Sequence, residues 1–132
     1  MLRQILAVML LGCALAAQSE PRTIAILADH DSRYKIDGKA SPTLTLKAGE
    51  QVRLVFTAVK AKSQNRDGSV HGFVLLRVKD GFKVPGWDLL LKPGVQEFVL
   101  QAPSEPGEYR AFCTVICSSA HEDMQMKVIV EK

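Results

Sequence analysis

Four side chains able to bind a soft metal crowd into twelve residues near the C-terminus: Cys113, Cys117, His121 and Met124. Their spacing is C-x3-C-x3-H-x2-M, within the run Phe112-Cys113-Thr114-Val115-Ile116-Cys117-Ser118-Ser119-Ala120-His121-Glu122-Asp123-Met124. Thiolate, imidazole and thioether are donors that copper takes. The whole chain has only three cysteines, three histidines and four methionines, so the concentration is selective. A further imidazole, His71, stands upstream in Val70-His71-Gly72-Phe73. A single blue-copper centre needs two histidines, one cysteine and a weak axial methionine. The set here has one thiol more than that, which points to two ions bridged by both sulfurs.

Each residue also has a plainer reading. Cys113 and Cys117 could form a disulfide across a tight loop. His71 could be a hydrogen-bonded strand-end histidine. Met124 alternates with Met126 and could simply fill the core. His30 has no partner in the motif and reads as a surface residue. Glu122 and Asp123 read as solvated, with a secondary role in guiding a basic partner.

The segments that must hold these donors read as strands. Thr23 to Ala28 and Thr43 to Leu46 are short apolar runs. Val52, Leu54 and Phe56 alternate with Arg53, Val55 and Thr57, the period-2 pattern of a half-buried strand. Phe73 to Val78 is a continuous run, and Leu89 to Leu91 a short one before Lys92-Pro93-Gly94. Phe98 and Leu100 alternate, as do Met124, Met126, Val128 and Val130. Turns recur roughly every ten residues, which predicts a β-sandwich. Lys60 to Ser69 is polar and reads as a surface loop. Ser118 to Asp123 has the composition for a turn or two of helix inside the donor loop. Phe73, Phe112 and Trp87 are candidates for an apolar shell around the site.

Bulk properties exclude little but are consistent. The chain has 132 residues, 47% hydrophobic and 23% charged, with a formal charge of +3. That length suits one domain. The charge is too mild, and too free of basic runs with interleaved aromatics, to argue for nucleic acid. Arg3 followed by the apolar segment Ile5 to Ala17 reads as a signal peptide. Ala14-Leu15-Ala16 supplies a cleavage site, which predicts a leader at 1–16 and a folded domain at 17–132. Leu10-Leu11-Gly12-Cys13 reads alternatively as a lipobox, with Cys13 lipidated as an anchor. Both predict export, to a periplasm or the outer face of a bacterial membrane, where Cys113 and Cys117 would meet an oxidising compartment.

The donor motif and its surroundings resemble the binuclear copper A domain of cytochrome c oxidase subunit II, in particular the ba3 type, and that of nitrous oxide reductase. Val70-His71-Gly72-Phe73 resembles the first-histidine motif. Pro106-Gly107-Glu108-Tyr109-Arg110 resembles the strand before the first cysteine, and Val128-Ile129-Val130-Glu131 the closing strand. The likeness covers roughly residues 43 to 132. It implies an all-β, cupredoxin-like Greek-key sandwich holding two copper ions. In that reading Cys113 and Cys117 bridge the ions, His71 and His121 each bind one, and Met124 is a weak ligand to one. The Val115 backbone carbonyl is then a ligand to the other. Three features depart from the pattern. Val115 stands where oxidases often have Glu, and Ser69 stands where an acid usually precedes the first histidine. The transmembrane helices of subunit II and the propeller of nitrous oxide reductase have no counterpart.

The resemblance implies electron transfer with a redox partner such as a cytochrome c or a terminal oxidase or reductase. The chain could serve within a cytochrome c oxidase-type or nitrous oxide reductase-type complex. No nucleophile, base and orienting residue stand together in the sequence, so a carrier is expected before a catalyst. Three readings compete: a copper chaperone holding Cu(I) reversibly, a mononuclear cupredoxin on His71, Cys117, His121 and Met124, and a metal-free sandwich closed by a disulfide.

Overall fold

The computed structural model describes residues 20–132, together with Gly12. The expected leader at 1–16, with Cys13 and the Ala14-Leu15-Ala16 cleavage site, otherwise lies outside the described residues. Among the described residues no helix is long and apolar enough to cross a membrane.

Among the described residues ten strands follow in chain order: β1 (Arg22–Ala28), β2 (Tyr34–Ile36), β3 (Lys39–Ala40), β4 (Thr43–Lys47), β5 (Gln51–Ala58), β6 (His71–Arg77), β7 (Lys83–Leu91), β8 (Gly94–Gln101), β9 (Gly107–Phe112) and β10 (Gln125–Glu131). They form two five-stranded sheets, ordered β3-β2-β1-β5-β8 and β4-β10-β9-β6-β7. Two pairs are parallel, β1 with β5 and β4 with β10. The sandwich expected from the turn spacing is therefore present, with alternation doing the sorting. In β5, Val52, Leu54, Phe56 and Ala58 are buried while the residues between them face outward. In β10 the same holds for Met126, Val128 and Val130. Each large apolar side chain so buried contributes about 1.5–3 kcal/mol, which makes the two facing layers a stiff frame.

Two elements escaped the sequence reading. Pro85-Gly86 looks like a turn, yet both residues lie within β7. That strand is at the edge of its sheet, where proline withholds no needed donor, and Gly86 takes φ +83°. The β2–β3 hairpin turns on Asp37 and Gly38, at φ +51° and +77°. A two-residue Asp-Gly loop with both φ positive matches the right-handed twist of the strands it joins.

Phe73 centres the aromatic floor beneath one end of the sandwich. Its ring lies 5.4 Å from Tyr34 and 5.1 Å from Phe56, both edge-on, and 6.5 Å from Trp87. Phe112 does not join it. Ala111 and Cys113 are buried and Phe112, between them, is only half-buried, because adjacent strand residues face opposite ways. The helix expected over Ser118 to Asp123 is reduced to a single 3₁₀ turn at His121–Asp123.

Candidate metal centre

The donors gather at the end of the sandwich where β6 begins and β9 stops. His71 is the first residue of β6 and fully buried. Its Nε2 lies 2.7 Å from the Val59 carbonyl, which can only accept, so Nε2 carries the proton. That leaves the lone pair on Nδ1, and Nδ1 is buried with no hydrogen-bond partner. Burial holds His71 below its ordinary imidazole range and so favours the neutral, ligating form, with the Val59 contact opposing it in part.

Gly72 lets β6 approach the cysteine loop. A Cβ there would sit 2.0 Å from Thr114 Oγ1 and 2.8 Å from Thr114 N. With only a hydrogen in that place, the Gly72 N–H reaches Cys113 Sγ at 3.4 Å. The Tyr34 hydroxyl donates to the Gly72 carbonyl from below.

Cys113 follows β9 directly, and its N–H donates to the Met124 carbonyl at 3.1 Å. Its sulfur lies 3.9 Å from that of Cys117 and 3.2 Å from the Val115 carbonyl oxygen. The Cys117 N–H donates to the same carbonyl at 2.7 Å, curling the loop tightly around it. Both cysteines are free and buried, so the disulfide reading does not describe this structure. A ring nitrogen of His71 and the two sulfurs all lie within 4.8 Å of one another. Burial, with Cys117 nearby, pushes the Cys113 thiol up to about 11. The sulfur is therefore protonated at neutral pH, and a metal cation bound to it would displace the proton.

His121 opens the 3₁₀ turn and is half-buried overall. Its Nδ1 is buried and, like that of His71, has no partner. It stands outside the 4.8 Å group formed by His71 and the two sulfurs. Met124 closes the turn, fully buried, with its N–H on the His121 carbonyl at 3.1 Å. Glu122, Asp123 and His30 are exposed, as their sequence context suggested.

The polar loop after β5 is more than surface. Lys62 and Ser63 both donate their N–H groups to the Cys117 carbonyl at 2.9 Å. Ser69 is buried, its hydroxyl and N–H both on Asp67.

Solved structures share this arrangement of strands. Rusticyanin from Thiobacillus ferrooxidans matches at 20% identity and a TM-score of 0.55, over 86% of this chain and 79% of that one. The fold is that of the cupredoxins. Auracyanin B matches this cupredoxin fold at 20% identity and a TM-score of 0.55, over 88% of this chain and 94% of that one. A chain of a heme-copper terminal oxidase dimer matches at 18% identity and a TM-score of 0.55, over 83% of this chain and 65% of that one. No protein-family model matches the chain, and no curated protein does. These likenesses carry the fold; the chemistry rests on the residues themselves.

Those residues fit copper. Two soft sulfurs and an imidazole nitrogen converge among buried residues, and the Nδ1 of His121, on the same loop as the cysteines, is also buried without a partner. Sequence reading missed Val59 and Tyr34 as supports of the site. Each acts on a ligand segment from a distant part of the chain, so no local spacing marks it.

Proposed function

We propose that this domain is an exported electron carrier with a binuclear copper A-type centre. Cys113 and Cys117 would bridge two ions, with His71 and His121 as the terminal imidazoles, Met124 and the Val115 carbonyl as weak ligands. The observation that carries the reading is the pair of free, buried sulfurs 3.9 Å apart beside a neutral imidazole with a partnerless Nδ1. Copper supplies one-electron redox chemistry when bound. The chain's contribution is to hold the donors still and dry. His71 is fixed through Val59, Cys113 through Met124 and Gly72, and Cys117 through the Lys62 and Ser63 amides. Held this way, the ligands need move little between redox states, which suits a carrier better than a chaperone that must release its ion. Ile116, next to Cys117 in the chain, is 70% exposed and would offer a redox partner an apolar contact on the ligand loop. The partner would be a cytochrome c or a terminal oxidase or reductase.

A mononuclear centre on His71, Cys117, His121 and Met124 is the second reading. It is favoured by one contact: a protonated Cys113 already has an acceptor in the Val115 carbonyl and could stay idle. Copper stoichiometry and electron paramagnetic resonance on the reconstituted chain separate the two. Two coppers per chain with a seven-line hyperfine pattern is the expected result. One copper with four lines would move the assignment to the mononuclear centre. Reversible binding of silent Cu(I) alone would point to a chaperone.

A further inference from the structure

We infer that Ser32 is a positioning residue for Cys117, whose hydroxyl donates to that sulfur and raises the one-electron potential of the centre. The inference deepens the copper reading above and rests on it. Ser32 lies in the loop between β1 and β2 and is 1% exposed. Its Oγ is 3.3 Å from Cys117 Sγ and 2.6 Å from Ser118 Oγ. Ser118 Oγ in turn accepts the Ala120 N–H at 3.1 Å.

The donors order this chain. The Ala120 amide can only donate, so Ser118 accepts from it and can direct its own hydrogen to Ser32. Ser32 then has its hydrogen free for the sulfur. An ionised, metal-bound Cys117 has no proton to give, so it can only accept. Three hydrogen bonds therefore run in one direction and end on the thiolate, each polarising the next.

The backbone at Ser32 supports a specific role for the hydroxyl. Its φ is +57°, a left-handed conformation in which glycine is the ordinary residue. A side chain kept there against that preference marks a local demand. The loop is also braced. Ser32 N–H donates to the Asp29 carbonyl at 3.1 Å, and Lys35 Nζ binds Asp29 at 2.7 Å and Asp31 at 2.8 Å. The hydroxyl is thus presented to the sulfur by a fixed frame. A hydrogen bond to the thiolate withdraws electron density that would otherwise stabilise the oxidised centre, so it favours the reduced one. The two sulfurs are served differently: Cys113 meets the Gly72 amide, Cys117 the Ser32 hydroxyl.

The test is the midpoint potential of the copper-loaded chain, wild type against Ser32→Gly and Ser32→Ala. Ser32→Gly removes the hydroxyl while suiting the left-handed backbone, so its apo form should melt no lower than wild type. Both variants should bind wild-type amounts of copper. Both should lower the midpoint by an amount equal to a roughly tenfold change in the oxidised-to-reduced ratio, about 59 mV for one electron. The sulfur-to-copper absorption band should move to longer wavelength. Full copper loading with an unchanged midpoint and band in Ser32→Gly would overturn the role of Ser32 and leave the copper reading standing. A wild-type chain that takes up no copper would overturn both.

Discussion

Strand β6 begins at His71 and ends at Arg77, and its two ends handle polar groups in contrasting ways. At the far end the Arg77 guanidinium makes a two-pronged contact with Asp80, at 2.9 and 2.6 Å, and a third with Glu105 at 2.6 Å. Glu105 also takes Lys79, and the guanidinium lies over the Phe82 ring at 4.9 Å. Every charge there is answered from within the chain. At the near end the Nδ1 atoms of His71 and His121 are buried without a partner. The third such atom among the described residues, Arg53 Nε, lies 2.5 Å from the Glu97 carboxylate. A buried polar atom left alone costs about 1–3 kcal/mol, so native structures rarely keep one without a reason. Of the two imidazole atoms, one belongs to His71, within 4.8 Å of the two sulfurs, and the other to His121, on the loop that carries both cysteines, and together they mark the end of the sandwich that is built for a ligand.

The largest effect that could break this contrast is the loss of a sulfur. Cys113→Ser should abolish the two-copper spectrum while the Arg77 end, about 20 Å away along β6 at a strand's rise per residue, keeps the domain folded. A variant that still gave the seven-line spectrum would remove Cys113 from the centre, and one that gave a clean single-copper spectrum would favour the mononuclear reading. Next comes Gly72→Ala. The added methyl meets Thr114 side chain and backbone together, and the backbone cannot swing aside as a flexible side chain would. The apo domain should lose about 1–3 kcal/mol in a denaturant melt, with copper affinity falling in parallel as β6 and the cysteine loop are pushed apart. Unchanged stability and affinity would mean that the close approach of these two segments does not shape the site.

The same contrast explains what could be read from the sequence. The strand frame was legible because alternation in β5 and β10 is a local record of burial. The ligand loop was legible because its donors lie within one short run. What joins them was not. Ser32 and Cys117 are 85 residues apart, and Val59 reaches His71 across a loop that reads only as polar. Such contacts follow from how the sheets stack, which no local spacing encodes. One expectation fails where tertiary structure overrides a local signal: Phe112 adjoins Cys113 in sequence, yet the pleat turns it to the opposite face, away from the buried ring cluster around Phe73.

The smallest effect is acid sensitivity, which should touch both ends unequally. Lys35 and His30 hold the Asp29 carboxyl well below the usual carboxylate range, and Arg77 lowers that of Asp80 to about 2. A carboxylate lowered on folding stabilises the folded state fully above its unfolded value, near pH 4, and that contribution is lost as pH falls toward the folded value. Both pairs should therefore weaken the apo domain on acidification below about pH 4. Their side chains differ in exposure, 14% for Asp29 and 45% for Asp80, so salt screens the second pair more. In acid melts of the apo chain, Asp29→Asn should flatten the low-pH slope at any ionic strength, whereas Asp80→Asn should do so only at low salt. Equal loss of both contributions at high salt would show that the loop carrying Ser32 is as solvated as the Arg77 cluster, and that the frame holding its hydroxyl to Cys117 is no firmer than an ordinary surface ion pair.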